Sequence, residues 1–249
     1  METKAHTRDK RISFEPEGHT YLIDNSSENV ESVTSFLKRF FPEFDPAKVS
    51  AKVFKKQYND PESKYYKMDP TEIMEFWDKN GKEERDKGTD LHALIEDYEN
   101  GKELNPQKSE ERRDELSKFY TFKRDHPHLY PYRAEWMIYH EDYRLCGTID
   151  MVYKDTHGNF HIVDWKRCKE LKEKNFYEKA YEPISHMDSC NANDYILQQN
   201  MYARFLEEKY DTPISSISLC ILHPNRDSYE LYHIPRKDEE IDALLQYRM

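Results

Sequence analysis

Two aspartates and a lysine stand among apolar residues in the stretch CGTIDMVYKDTHGNFHIVDWKRCKE, residues 146–170. Apolar runs on either side of a turn centred on His157 predict two antiparallel strands. In that register Asp150 and Asp164 lie opposite each other, and Lys166 shares their face because side chains alternate along a strand. Opposed carboxylates among apolar neighbours repel each other, so this pattern favours a bound divalent cation with oxygen ligands.

Other interpretations of these three residues stay open at the level of sequence. A surface hairpin would leave Asp150, Asp164 and Lys166 solvated. A register shifted by one residue would move the paired side chains to opposite faces. Lys166 alone could also neutralise one of the two carboxylates.

Periodicity and turn residues predict the elements around this hairpin. Residues 11–24 form a hairpin that turns at 17–18, and residues 132–166 form three strands with turns near 141–143 and 155–159. A last hairpin covers 216–234 and turns around 224–227. Helices are predicted at 32–41 (capped by Ser32 or Thr34), 47–58, 71–82, 88–101 (capped by Thr89 or Asp90 and ended by Gly101), 108–125, 193–210 and 238–249.

This order of elements predicts a mixed α/β fold of α+β character, with a central mixed sheet and an antiparallel hairpin flanked by helices. We expect one domain over residues 1–249. Its parts are an N-terminal hairpin and helical part (1–87), a core (88–235) and a C-terminal helix (236–249).

Composition narrows the partners of the chain. With 49 acidic and 38 basic residues, the formal net charge is -11, so nucleic acid could bind only through a local basic groove or through bound metal. Arg133, Arg167 and Lys169 supply basic charge next to the hairpin. No run of 18 apolar residues and no signal peptide are present, which predicts an intracellular protein, cytoplasmic or nuclear, without a membrane partner.

Cysteine spacing argues against a cysteine-bound metal. The chain has four cysteines and no CxxC pair, a poor pattern for zinc or an iron–sulfur cluster. Reduced thiols in an intracellular protein are the expected state.

The predicted helix at 88–101 places a histidine where it can face a cleft. Its apolar stripe consists of Leu91, Leu94, Ile95 and Tyr98. His92 lies about 100° from the centre of that stripe, and Glu96 follows one turn later. An ordinary exposed His–Glu pair on a helix is the alternative.

A glutamine lies within the apolar face of the predicted helix at 193–210. Gln198 falls near the middle of that face and Tyr202 follows one turn later. Because a buried glutamine needs partners, Gln198 is expected to bond a backbone group, to clamp a substrate strand or to support the hairpin.

Together these residues resemble the PD-(D/E)XK nuclease superfamily, in its RecB-like exonuclease branch. Asp150 resembles the aspartate at the end of one core strand, and Asp164-Trp165-Lys166 resembles the (D/E)-x-K motif of the next. His92 in GTDLHALIE matches the helix motif of this branch.

Two further segments extend the resemblance. QQNMY matches the Q-x-x-x-Y motif of the branch through Gln198 and Tyr202. The motifs occur in the family's order over 88–202, nearly half of the chain. GHTYLID and ESVTSFL are more weakly similar to the opening of phage-type and mitochondrial genome maintenance exonucleases.

The resemblance implies a restriction-endonuclease-like core that binds one or two Mg²⁺ or Mn²⁺ ions, without an iron–sulfur cluster. The implied ligands are His92, Asp150, Asp164 and the backbone carbonyl of Trp165. Lys166 would orient or deprotonate the attacking water, or steady the phosphate.

Glu135 is a further candidate ligand, because the superfamily often has an acidic residue on the preceding strand. If the turn centres on residue 142, Glu135 faces residue 149. It would then point away from Asp150 unless a bulge intervenes.

The expected activity is that of a metal-dependent DNA exonuclease acting on single-stranded ends or flaps, in replication, repair or recombination. An RNA endonuclease is the first alternative, since some viral cap-snatching endonucleases pair a helix histidine with the same acidic core. A non-catalytic nucleic-acid-binding module with a decayed site is the second, although all the implied catalytic residues are present.

Overall fold

The structure, a computed structural model, describes residues 5–18 and 20–248. The chain divides into two compact units, Met1–Pro42 with Leu91–Met249, and Glu43–Asp90. The larger unit contains a mixed sheet of parallel and antiparallel strands and a separate antiparallel hairpin, so the predicted mixed α/β class is confirmed. That residues 1–249 act as a single domain stays a prediction.

The described residues form the following elements. The strands are β1 (Ile12–Glu15), β2 (Thr20–Ile23), β3 (Glu31–Ser32), β4 (Tyr130–His140), β5 (Leu145–Lys154), β6 (Phe160–Lys166), β7 (Ile214–Ile221) and β8 (Glu230–His233). The α-helices are α1 (Val33–Lys38), α2 (Pro46–Gln57), α3 (Pro70–Glu99), α4 (Pro106–Glu111), α5 (Arg113–Asp125), α6 (Asn191–Lys209) and α7 (Asp238–Arg248). In this part of the chain no helix is both long and apolar enough to cross a membrane.

β5 is the central strand of the sheet. β4 pairs along one edge of it. The other edge pairs with β3 through Leu145 and Cys146 and with β6 through residues 151–154. β6 lies parallel to β7, to which α6 connects it, and β8 pairs antiparallel with β7.

The predicted register of β5 and β6 is confirmed. Met151 pairs with Val163 and Val152 pairs with Ile162. The same register, continued by one residue, sets Asp150 opposite Asp164.

Packing on the two faces of the sheet explains the apolar runs in these strands. Val152 and Ile162 belong to one buried cluster together with apolar residues of α1, α6 and α7. Met151 and Val163 belong to a second cluster with residues of α5 and the last turns of α3. Strands covered on both faces are apolar at nearly every position, so a charged residue there needs a specific partner.

Two predicted helices, 71–82 and 88–101, are one helix, α3. The intervening segment EERDK consists mostly of good helix formers, and Gly88 costs a helix only about 1 kcal/mol relative to alanine. Thr89 therefore does not cap a helix, and its hydroxyl donates back to the Arg85 carbonyl. Gly101, at φ +69°, ends the helix as predicted, because Gly101 N–H bonds Tyr98 O and Lys102 N–H bonds Asp97 O.

Other boundaries differ from the prediction in smaller ways. Ser32 caps α1 as proposed, but the helix ends at Lys38. The predicted helix 108–125 is divided at Arg112, whose φ of -109° and ψ of 21° are not helical. β3 has only two residues, too few to produce a pattern in the sequence. His19 in the first predicted hairpin and Met249 in the last predicted helix lie outside the described residues.

Gly147 gives the first testable prediction, because a side chain there would collide with α6. A Cβ on Gly147 would lie 2.5 Å from Tyr202 Cε1 and 2.7 Å from Cζ. We expect Gly147→Ala to destabilise the protein by about 1–3 kcal/mol, measured by urea unfolding. Gly88→Ala, which meets no atom within 4 Å, is the matched control and should be neutral or stabilising. Equal stability of the two variants would contradict this packing.

Candidate functional site

The two predicted aspartates meet where β5 and β6 pass beyond their last paired residues. Asp164 is only 2% exposed. Asp150 is half-buried, and its Oδ2 accepts a hydrogen bond of 2.9 Å from the Trp165 backbone N–H. This bond ties the Asp150 carboxylate to the strand that carries Asp164.

Lys166 is held by Asp164 and by an aromatic ring. Its Nζ lies 2.5 Å from Asp164 Oδ2 and 4.9 Å from the centroid of Tyr195. Gln199 Nε2 donates to the other oxygen, Asp164 Oδ1, at 2.6 Å. Both oxygens of Asp164 therefore have a partner from the chain itself.

Burial and charge act in opposite directions on this pair. Burial, followed by repulsion from Asp150, raises the pKa of Asp164 against the effect of Lys166. Burial disfavours the Lys166 ammonium, but the carboxylates of Asp164 and Asp150 outweigh it and raise its pKa. The charged form of Lys166 is thus favoured in the site, and it neutralises one of the two close carboxylates.

Glu135, a candidate ligand in the sequence, lies in the cluster; only the assumed turn centre at residue 142, from which it would have pointed away, was wrong. Ala134 pairs with Met151 and Trp136 pairs with Ile149, which places Glu135 opposite Asp150. No bulge at Glu135 is needed, because the turn between β4 and β5 has four residues and its centre lies half a residue beyond the predicted one.

The backbone at Glu135 is in an uncommon conformation. Its φ is +43°, in the left-handed region that residues other than glycine seldom adopt. Such a conformation costs on the order of 1–3 kcal/mol and is often found at functional sites. The pairing of the surrounding sheet must therefore offset this conformational free energy and fix the position of the Glu135 carboxylate.

His92 on α3 completes the cluster. Its Nε2 lies 2.8 Å from the Trp165 carbonyl oxygen, and because a carbonyl only accepts, Nε2 carries the proton. Nδ1 lies 3.6 Å from Asp150 Oδ2 and 3.9 Å from Glu135 Oε1. In the neutral ring Nδ1 therefore offers its lone pair toward the two carboxylates, while the bond at Nε2 fixes the ring, as in many metal sites.

The donor set of this cluster fits a cation. His92, Glu135 and Asp150 each offer one ligand atom, and these three atoms lie within 4.8 Å of one another. Burial, then the charges of Asp150, Glu96 and Asp164, raise the pKa of Glu135 to about 8. Oxygen ligands with one imidazole nitrogen suit several divalent metals, so the geometry supports a cation without specifying which.

The Trp165 carbonyl and Asp164 lie at the cluster in different roles from the predicted ones. Trp165 O accepts the hydrogen bond from His92, and Asp164 is bonded to Gln199 and paired with Lys166. That either oxygen also binds metal stays a prediction.

Gln198 is not at the centre of the buried face of α6. It is half-buried, and its Nε2 donates to Thr34 Oγ1 at 3.0 Å and to Tyr202 Oη at 3.2 Å. The buried glutamine is its neighbour Gln199, which is 0% exposed. Gln199 has helical spacing to Tyr195 and Tyr202, but so does Gln198, so the spacing alone does not choose between the two glutamines.

The predicted basic residues have other contacts. Arg167 Nε donates to Glu115 Oε1 at 2.8 Å, and both side chains are nearly buried. Arg133 Nη1 donates to Asp9 Oδ2 at 2.8 Å. Lys169 is exposed. Substrate binding by these three residues stays a prediction, and for the two arginines it would compete with an existing ion pair.

Comparison with sequence models of known protein families and with curated protein sequences gives no match for this chain.

Glu135→Gln tests the charge balance of the cluster. Because the pKa of Glu135 is raised, the folded metal-free protein holds a proton that the unfolded chain releases between about pH 4.5 and 8, so stability falls as pH rises through this range. After allowance for solvent screening, we expect the variant to gain about 1 kcal/mol at pH 8, roughly 2–4 °C in Tm. It should also lose part of the stabilisation by Mn²⁺.

Thermal unfolding at pH 5.5 and pH 8, with EDTA or Mn²⁺, measures both effects. Glu141→Gln is the control on the same hairpin. Burial tends to raise the pKa of Glu141, but the contact with Arg8 outweighs burial and lowers that pKa to about 2. That variant should lose stability at both pH values. A loss of stability at pH 8 in Glu135→Gln would contradict the proposed repulsion.

Proposed function

We propose that this protein is a metal-dependent nuclease of the PD-(D/E)XK superfamily, hydrolysing phosphodiester bonds of DNA at single-stranded ends or flaps. One observation carries the proposal. Asp150, Asp164 and Lys166 stand on paired strands in the register that the motif requires, and His92 and Glu135 converge on the same point.

Different residues of the chain would have different roles in such a site. His92, Glu135 and Asp150 would hold the cation. When bound, Mg²⁺ or Mn²⁺ supplies charge neutralisation at the phosphate and lowers the pKa of a bound water. Asp164, anchored by Gln199, positions the Lys166 ammonium, which would donate a hydrogen bond to the attacking water or to a phosphate oxygen.

Exposed aromatic residues on the segment after Lys166 support a single-stranded substrate. Phe176 and Tyr177 are 88% and 94% exposed. The base of the segment is fixed, because Asn175 Nδ2 donates to Ser189 O at 2.7 Å and Lys172 N–H donates to Asn191 Oδ1 at 2.8 Å. Unpaired bases stack on such rings, whereas bases in a duplex are already stacked.

Lys166→Ala and Asp150→Asn test the activity. We expect each to reduce cleavage of single-stranded DNA by at least about 100-fold, because Lys166 would act on the attacking water or the phosphate and Asp150 would hold the cation. The assay uses DNA labelled separately at each end, with Mg²⁺, Mn²⁺ or EDTA, so that the label released first reports the polarity. Lys154→Ala, on the same hairpin, is the control and should cleave normally.

Three results would contradict this proposal in different ways. Full activity in Lys166→Ala would refute the catalytic assignment. Cleavage of RNA but not DNA would favour the RNA endonuclease. Binding without cleavage in either metal would favour a binding module that retains the residues of an ancestral site.

A Phe176→Ala/Tyr177→Ala double variant tests the preference for single strands. We expect KM for a single-stranded oligonucleotide to rise about tenfold or more, since each base–aromatic stack contributes about 1–3 kcal/mol. Cleavage of blunt duplex ends should change little. Tyr130→Ala, which removes another exposed ring, is the control. An equal effect on single-stranded and duplex DNA would argue against stacking.

A further inference from the structure

The smaller unit contains a basic surface that the proposed active site does not use. Helix α2, with sequence PAKVSAKVFKKQ, contains four lysines and no acidic residue. They are Lys48, Lys52, Lys55 and Lys56, and all four are exposed. At 100° per residue they fall within an arc of about 100°, so they form one stripe along the helix. We call this stripe the α2 lysine face.

In the part of the chain that the structure describes, these four ammonium groups lack the carboxylate partners that many other basic residues have. Within residues 5–18 and 20–248, no ion pair or hydrogen bond joins the ammonium group of any of the four to a carboxylate; only the backbone N–H of Lys48 bonds one, that of Asp45. By contrast, Lys179 pairs with Asp188 and Lys209 pairs with Asp142. In a chain with a formal net charge of -11, four unpaired like charges on one face oppose folding slightly, so a ligand that neutralises them would bind favourably.

The opposite side of α2 is occupied by the protein itself. Ser50 is fully buried and bonds the Ala47 carbonyl at 3.1 Å. Val53 and Phe54 are partly buried, and the ring of Phe54 lies 4.8 Å from that of Tyr58. A basic helix that inserts into a membrane needs a free apolar face, which α2 does not present. The exposed surface offers charge alone, and charge alone suits a phosphate backbone.

We infer that the α2 lysine face binds the phosphate backbone of a nucleic acid without reading its sequence. The inference rests in part on the proposed nuclease function, which makes nucleic acid the expected ligand. Lysine ammonium groups at helical spacing contact successive phosphates and release condensed counterions. This surface would hold the strand independently of any cation at the His92 cluster.

The test is the salt dependence of binding, measured in EDTA so that cleavage does not enter. The four lysines are replaced together by glutamine in the full chain, and binding of a fluorescent single-stranded oligonucleotide is followed by anisotropy between 50 and 200 mM salt. Four lost phosphate contacts should reduce the slope of log K against log salt by about 3. Across that range, wild-type binding should weaken about 50-fold more than binding of the variant.

A charge-matched variant separates this local effect from net charge. Lys10, Lys102, Lys108 and Lys179 are exposed lysines on four other segments, and their replacement by glutamine removes the same total charge. We expect its salt slope to stay near that of the wild type. Glutamine and lysine have similar helix propensities, and circular dichroism checks that both variants fold.

The outcomes distinguish this inference from the nuclease proposal. An unchanged slope in the α2 variant, or an equal loss in both variants, overturns the inference even if the wild type cleaves DNA. A reduced slope in the α2 variant alone supports it even if no cleavage is found. Binding to phosphatidylserine vesicles that depends on the α2 lysines, without oligonucleotide binding, would overturn it in favour of a membrane surface.

Discussion

Repulsion between the carboxylates of Asp150 and Asp164 is the constraint on which the rest of the larger unit depends. Two buried like charges are costly unless each finds a partner. The Trp165 N–H serves Asp150, while Lys166 and Gln199 serve Asp164. β6 and α6 must therefore pack in one register, since a shift of either would leave a buried carboxylate unpaired.

Helix α6 supports β5 on the edge where β5 pairs first with β3 and then with β6. That edge pairs with β3 at 145–146 and with β6 at 151–154, and Tyr202 packs against Gly147 in the interval. Gln198 then links Tyr202 to Thr34 at the start of α1. Tyr202 thus packs directly against the hairpin, whereas Gln198 reaches it only through Tyr202, and the role of Gln198 stays a prediction.

Features set by local turn geometry and by side-chain alternation were predicted from the sequence. Features that depend on a difference of one residue, in turn length or in the buried face of a helix, were missed. The register of β5 and β6 followed from the turn at 155–159 and from alternation across it. The same reasoning misplaced Glu135, because a four-residue turn instead of a three-residue one moves every partner by one. It also chose Gln198 over Gln199, since only tertiary packing decides which side of α6 faces the sheet. The continuity of α3 was missed because Gly88 is a weak helix breaker.

The proposed nuclease would contact a phosphate backbone at two surfaces of different charge. Without a cation, the carboxylates of Glu96 and Asp150 make the candidate site repulsive to phosphate, and Lys166 does not reverse that because it is paired with Asp164. The α2 lysine face would attract phosphate whether or not metal is present, because none of its four ammonium groups is paired with a carboxylate of residues 5–18 or 20–248. A strand would therefore be held before it can react, and metal would control reaction more than capture. Such a division would let an acidic chain act on an acidic polymer, since long-range repulsion would be overcome locally at each surface.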